Sequence, residues 1–283
     1  MTSPVAIGGV GGSGTRLVGE ILRHLGCYLG GDLNHAVDNL WFTLLFKRID
    51  LWGTEAGSEE FASAAQAFRA AMTGGPPLTT AQASWVRALA ERERPQHDRA
   101  WLRQRAESLI AAAAQGSPPP HLWGWKEPNT HIFLDRLAAA FPGLKYVHVV
   151  RNGLDMAYSP NDNQLRLWGP LLIGAHSAEP GPRAMLKYWC VVQRRAAQIG
   201  AAMPGRFLML NYDAFCRAPD DHLPALGRLL GVAIDPASAG ALRALVRVPG
   251  SIGRYRLHGL AHFDPADVEY VKELGFDTTC ASS

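Results

Sequence analysis

The chain has 283 residues, 47% of them hydrophobic and 19% charged, and a formal net charge of +3. That composition is expected of a soluble globular protein long enough to bury a sizeable core. So small a charge excess argues against a nucleic-acid-binding surface, which needs a dense basic stripe.

In chain order, Val5–Gly9 is an apolar β-type run that enters a glycine cluster ending at Gly14. Leu17, Val18, Ile21, Leu22 and Leu25 then fall at helical spacing over Thr15–Leu25. Strand, glycine turn and helix together make an anion site. Residues without Cβ let backbone N–H groups close around a phosphate, and the helix start adds partial positive charge. Two nucleotide motifs overlap in this loop. Gly9-x-Gly11-x-x-Gly14, with Asp32 where a ribose-binding acid belongs, satisfies the dinucleotide fingerprint. Gly9-x-x-x-x-Gly14 also satisfies the first half of an ATP-type P-loop, yet Thr15-Arg16 stands where Lys-Ser/Thr is required. The loop alone leaves an NAD-dependent oxidoreductase, a nucleotide kinase and a non-catalytic nucleotide-binding protein open.

Helical patterns follow at Val37–Arg48, Glu59–Met72 and Thr80–Ala114. From about Leu51 to Pro120 the composition shifts toward Ala, Glu, Arg and Gln, between Gly-Gly-Pro-Pro at 74–77 and Ser-Pro-Pro-Pro at 117–120. This stretch reads as a helical insertion between the first two strands. Further strands are expected at His121–Trp125, Leu144–Val150 and Arg206–Asn211, and further helices at Thr130–Phe141, Arg183–Met203, His222–Leu230 and Ala237–Val246. Pro160–Pro182, rich in Gly, Pro, Asn and His, reads as an ordered loop over a site. The alternation predicts an α/β fold, a parallel sheet covered by helices on both faces, in a single domain spanning residues 1–283.

The run Leu144–Val150 is nearly unbroken in apolar character, as a central parallel strand should be, with His148 read as a core histidine. It ends in Arg151, followed by a turn at Asn152-Gly153 and a helix carrying Asp155 and Ser159. Ligands of open α/β sheets sit beyond the carboxyl ends of the strands, where Arg151 projects. Its forked guanidinium suits a phosphate, and a serine hydroxyl adds a donor.

These two segments together resemble the sulfotransferase family, whose donor is 3′-phosphoadenosine 5′-phosphosulfate (PAPS). Arg151, Asp155 and Ser159 match the family's Arg-x-x-x-Asp-x-x-x-Ser pattern. Trp125-Lys126-Glu127-Pro128, the Leu208–Asp213 stretch, Leu230-Gly231 and Gly250–Tyr255 add to the likeness, which covers most of the chain outside 51–120. The resemblance implies a P-loop NTPase-like fold in three layers. It implies that Gly11, Gly12, Ser13, Gly14, Thr15 and Arg16 hold the 5′-phosphosulfate, and that Arg151 and Ser159 hold the 3′-phosphate. Tyr212, Ser251 and Arg254 are further nucleotide candidates. The family commonly places Lys or Arg just before the Ser-Gly-Thr of the loop, where this chain has Gly12; Arg16 or Lys126 is the candidate source of that charge.

Sulfuryl transfer is formally like phosphoryl transfer: an in-line displacement that needs positioning, cationic stabilisation of the leaving group and a base for the acceptor. Lys126 is the electrophilic candidate. Asp32 is the favoured base, with Asp38 and His35 behind it, and a helix-capping role competes for Asp32. Asn161, Asp162, Asn163 and Gln164 are candidate lining for an acceptor pocket. No HExxH or Cys/His cluster suggests a metal. The scattered Cys27, Cys190, Cys216 and Cys280 imply no disulfide framework and fit a reducing cytoplasm. No basic n-region precedes an apolar stretch at the start, and apolar runs such as Leu40–Phe46 are too short to cross a bilayer. A cytoplasmic enzyme acting on a small-molecule acceptor is the expectation, with no nucleic-acid or membrane partner. The oligomeric state is not legible.

Overall fold

A computed structural model describes residues 3–53, 55–116 and 120–280. Among these, four strands form one sheet: β1 (Val5–Gly8), β2 (Gly124–Lys126), β3 (Lys145–Val150) and β4 (Phe207–Asn211), in the order β2-β1-β3-β4. All four overlap the runs expected from the sequence, although β2 begins three residues after His121 and runs on to Lys126, and the sheet is parallel with helices flanking it. β3 and β4 pair in register from Tyr146 opposite Phe207 to Val150 opposite Asn211. Parallel strands need crossovers, which here are helical.

The chain divides into two compact units. The first comprises Met1–Ala6, Leu22–Glu127 and Asp135–Lys145; the second comprises Ile7–Ile21, Pro128–Leu134 and Tyr146–Ser283. Helix α1 (Thr15–His24) begins in the second and ends in the first.

The first unit holds α2 (Leu40–Phe46), α3 (Glu55–Thr73), α4 (Thr80–Glu91), α5 (Arg99–Ala114) and α6 (Leu134–Ala140, from Asp135 on). Its core is aromatic. Phe42 stacks on Trp125 at 5.9 Å, and Phe68 and Phe141 both meet Trp125 at 5.3 Å. Such pairs add about 0.5–1.5 kcal/mol each beyond burial. The helical insertion is present, with two differences from the periodicity. The pattern over 80–114 is two helices, because Pro95 cannot continue a helix and Asp98 caps the next by accepting from Trp101 N–H. Helix α2 starts at Leu40 instead of Val37, because Asn39 caps it through Phe42 N–H and Val37 has φ +64°. Residues 117–119 of the second proline breaker lie outside the described residues.

The second unit holds the loop after β1, then α7 (Gly153–Ala157), α8 (Asn163–Leu172), α9 (Pro182–Ala201), α10 (Tyr212–Arg217), α11 (Pro219–Leu230), α12 (Pro236–Leu245) and α13 (Pro265–Glu273). Helix α8 occupies the stretch expected to be a loop. Gln164, Leu165 and Trp168 are buried at helical spacing, and Trp168 Nε1 donates to Asn129 Oδ1 at 2.8 Å. Helices α10 and α13 were not apparent from periodicity. Asn211 caps the first and Asp264 the second, and Pro265 opens α13. Helix α7 ends at Ala157, so Ser159 lies past it, tied back by its N–H to Met156 O.

No helix among the described residues is long and apolar enough to cross a membrane.

Candidate anion-binding site

The second unit gathers the glycine loop and the Arg151 turn. The loop leaves β1 with Gly9 N–H donating to Pro128 O at 3.0 Å and turns through Ser13 N–H on Val10 O at 3.0 Å. The N–H groups of Gly11, Gly12 and Gly14 donate to no other described residue, as an anion cradle requires. Gly12 and Gly14 have φ of +92° and +99°, a region side chains avoid. Ser13 is buried, and its Oγ has no hydrogen-bond partner. Thr15 is buried and Arg16 exposed at the start of α1.

Other parts of the unit close on each glycine. A Cβ at Gly14 would fall 2.2 Å from the Tyr212 ring, which lies flat against the loop from the start of α10. At Gly12 it would sit 3.7 Å from Ser159 Oγ, and at Gly11 it would sit 3.2 Å from Asn161 Nδ2. The Gly9 carbonyl accepts from Gln164 Nε2 at 3.3 Å. Gln164 in turn bonds His131 Nε2 at 3.2 Å and accepts from Tyr188 at 3.4 Å. Of the residues expected beside an acceptor, Gln164 therefore bonds the glycine loop and Asn161 lies close to it.

The second motif is built from side chains. Arg151 follows the last residue of β3, where Trp189 Nε1 donates to its carbonyl at 3.1 Å. Its Nη2 donates to Ser251 Oγ at 2.5 Å, and its Nε lies 3.8 Å from Asp213 Oδ1. Asp155 serves the backbone beside it. Its carboxylate accepts Gly253 N–H at 2.8 Å and Tyr255 N–H at 3.2 Å, so it pins the 251–255 turn that brings Ser251 to Arg151. Arg254 Nη1 donates to Tyr158 O at 2.9 Å. Burial raises the Tyr212 hydroxyl above its usual range, with smaller contributions from Cys216 and Asp213. Tyr212 is thus a neutral donor at physiological pH.

Beneath the loop, Tyr146 OH bonds His148 Nδ1 at 2.9 Å, and His148 Nε2 bonds Gln193 Oε1 at 2.7 Å. Burial lowers His148 to about 4 and, with the adjacent His148, lowers His131 to about 3. Both are neutral packing groups, as the core reading of His148 requires.

The remaining sequence candidates belong to the first unit. Lys126, the last residue of β2, is 2% exposed; its Nζ donates to Ala36 O at 3.1 Å and ion-pairs with Asp38. Asn34 shapes that segment by accepting Ala36 and Asp38 N–H at 2.9 Å each. Asp32 accepts from Ser108 Oγ at 2.6 Å, and Arg105 Nε lies 3.2 Å from the same oxygen. It caps no helix; Asn39 does. Nor does it end a second strand, since Tyr28 forms only an isolated bridge with Trp123. That removes the geometric basis for a dinucleotide ribose contact. His35 is exposed.

Sequence reasoning missed Asp213 and Gln164 as neighbours of the two motifs. Asp213 carried a weak signal, its place in the Leu208–Asp213 stretch; Gln164 was singled out only as acceptor lining, with nothing to point it at the glycine loop. The described residues contain no group of three or more His, Cys, Asp or Glu suited to a metal. Cys27, Cys190 and Cys216 are free and buried, and Cys280 is free and exposed.

A sequence model described as the sulfotransferase family matches residues 4–236. The chain belongs to that family. In fold it is similar to the sulfotransferase domain from the Synechococcus PCC 7002 olefin synthase, with 18% identity, a TM-score of 0.53, and coverage of 99% of this chain and 98% of that one. It is similar as well to the sulfotransferase domain from the curacin biosynthetic pathway, with 16% identity, a TM-score of 0.54 and 99% of each chain covered. No curated protein matches the sequence significantly.

Proposed function

We propose that the protein moves the sulfuryl group of PAPS to a hydroxyl or amine of a small-molecule acceptor in the cytoplasm, the two units acting as one domain without a metal. The observation that carries this reading is the proximity of Ser159 Oγ to the Gly12 position. It supports the reading by bringing a residue proposed for the 3′-phosphate close to the loop proposed for the 5′-phosphosulfate. The unpartnered, buried Ser13 Oγ and the bare N–H groups of Gly11, Gly12 and Gly14 fit a multiply charged ligand.

In this reading Gly11, Gly12, Ser13, Gly14, Thr15 and Arg16 hold the phosphosulfate. Arg151 and Ser159 hold the 3′-phosphate, and Tyr212, Ser251 and Arg254 complete the nucleotide site. PAPS supplies the activated sulfuryl group and a bisphosphate leaving group. The donors of the loop are fixed before reaction, so charge developing on the leaving phosphate meets dipoles that need no reorganisation. Lys126 is the proposed electrophile and Asp32 the proposed base, with Arg16 as the second cation. Asp32 Oδ1 takes no bond from another described residue and is the oxygen available for a proton.

Thermal denaturation with adenosine 3′,5′-bisphosphate, NAD and ATP tests the nucleotide. Ligand at a hundred times its Kd stabilises by about 2.7 kcal/mol, and only the bisphosphate should do so. Stabilisation by NAD or ATP alone would overturn the reading. Sulfuryl transfer from PAPS to a panel of phenols, alcohols and amines then tests turnover. Asp32→Asn and Lys126→Ala should each lower it at least a hundredfold with nucleotide affinity retained.

A further inference from the structure

Arg151 presents two edges. Nε and Nη2 share one, and Nη1 and Nη2 form the other. Ser251 takes Nη2, the nitrogen both edges share, at 2.5 Å, and Asp213 Oδ1 stands 3.8 Å from Nε, on the first edge. Nη1 donates to no other described residue. The carboxylate is itself fixed: Oδ2 accepts Asn152 N–H at 3.1 Å, and Asn152 caps α7 through Leu154 N–H at 2.9 Å. Asp213 is 3% exposed, a burial that a carboxylate avoids without a cationic neighbour. Two atoms there have no hydrogen bond, Arg151 Nε and Asp213 Oδ1, and they lie 3.8 Å apart. The pair therefore holds by charge rather than by a closed bond, and about 1 Å of guanidinium movement would close it.

We propose that Asp213 is the positioning residue behind preference for a 3′-phosphorylated nucleotide, holding the Nε edge of Arg151 so that its Nη1–Nη2 edge forms the phosphate fork. The inference rests on the donor reading above and adds to it a residue that touches no substrate. It accounts for a buried carboxylate placed beside a phosphate-binding arginine, where negative charge would otherwise oppose the ligand. A guanidinium turned toward the strand end by that charge cannot swing away from the nucleotide. Arg217 and Asp155 are the other charged groups that act on Asp213. Asp155 is committed to the 251–255 backbone.

Calorimetric Kd values for adenosine 3′,5′-bisphosphate and 5′-AMP, on the whole chain, test the assignment. Asp213→Asn keeps the acceptor for Asn152 N–H and removes the charge. The parent should prefer the bisphosphate, and the variant should lose about tenfold of that preference, the scale of one charge-assisted contact, with 5′-AMP affinity unchanged. Adding Asp213→Asn to Arg151→Ala should remove nothing further, because one residue acts through the other. A merely structural role would weaken both nucleotides alike and add to Arg151→Ala, and either result overturns the proposal. Should Asp213→Asn fail to fold, Asp213→Glu serves, since a cavity of about 60 Å³ beside Asp213 admits the extra methylene and the charge is kept. Preference kept or raised with 5′-AMP affinity held supports the inference; preference lost although the charge remains overturns it. A parent that binds both nucleotides equally overturns the donor reading as well, whereas a parent that discriminates beside an Asn variant that discriminates equally overturns Asp213 alone.

Discussion

The glycine loop and the Arg151 turn are proposed anion sites made from different materials. The loop offers backbone N–H groups held by glycine conformations, with a hydrogen-bonded layer of Gln164, His131 and Tyr188 against it. The turn offers a side chain aimed by Ser251, Asp213 and the backbone grip of Asp155 on residues 253 and 255. A backbone site depends on what each position can adopt, so a single methyl group damages it. A side-chain site depends on distant partners, so it fails in selectivity before it fails in stability. The predictions that follow try to break that contrast.

Acid should produce the largest effect, and on the loop side. His131 and His148 are held neutral in the fold, at about 3 and about 4, against an ordinary value of 6.5. The unfolded chain therefore binds protons that the folded one refuses. Stability from these groups is complete above pH 6.5 and declines as pH falls from 6.5 toward 4. Each imidazole contributes a slope of about 1.4 kcal/mol per pH unit across that window. Denaturant titrations from pH 7 to pH 4.5 measure it, and amide exchange should quicken at the bonded N–H groups of Gly9 and Ser13 before it does at 251–255. A flat profile would mean that the layer under the loop is not the neutral network described.

Gly14→Ala comes next. The new Cβ would meet the Tyr212 ring at 2.2 Å on a residue with φ +99°. Positive-φ strain and overpacking together should cost about 3 kcal/mol. Chemical denaturation would register the loss, and calorimetry should show no nucleotide binding. Retained affinity would show that the loop can reshape without Tyr212.

Arg151→Ala tests the other side. Loss of a charge-assisted phosphate contact should cost about 2 kcal/mol of affinity for adenosine 3′,5′-bisphosphate. The midpoint of unfolding should move by much less than in Gly14→Ala. Comparable losses in stability would erase the distinction between the two sites.

The contrast also explains what could be read in advance. A backbone site is written locally: the glycines at 12 and 14 mark their own conformations, and β1 and α1 flank them. Arg151, Asp155 and Ser159 were legible through their match to the family's spacing, and four strands as short, largely apolar runs. What aims the arginine was not. Ser251 lies 100 residues from Arg151 and was noticed by resemblance alone. Gln164 reaches Gly9 across 155 residues, from a helix hidden by its own composition. Glycine and proline counts suggested a loop over 160–182, while Leu165 and Trp168 were already spaced for burial. Lys126 and Asp32 were legible as chemistry, but their partners Asp38 and Ser108 lie 88 and 76 residues away and no local pattern names them.

Gly12 gives the smallest and most discriminating effect. Its φ of +92° matches that of Gly14, yet a Cβ there meets only Met156 Cε at 3.5 Å and Ser159 Oγ at 3.7 Å, ordinary contacts. Gly12→Ala therefore carries the conformational cost without the clash, about 1 kcal/mol, and nucleotide binding should weaken by less than tenfold. Gly12→Lys restores the cation usual in the family at the same backbone cost, and on an exposed position its stem has room. If charge at this position matters to transfer, the lysine variant should turn over PAPS faster than the alanine variant at equal stability. Equal rates would assign the cationic work to Arg16 and Lys126 and leave Gly12 as a purely conformational residue. The comparison between Gly12 and Gly14 then separates what glycine does for the backbone from what the absence of a side chain does for its neighbours.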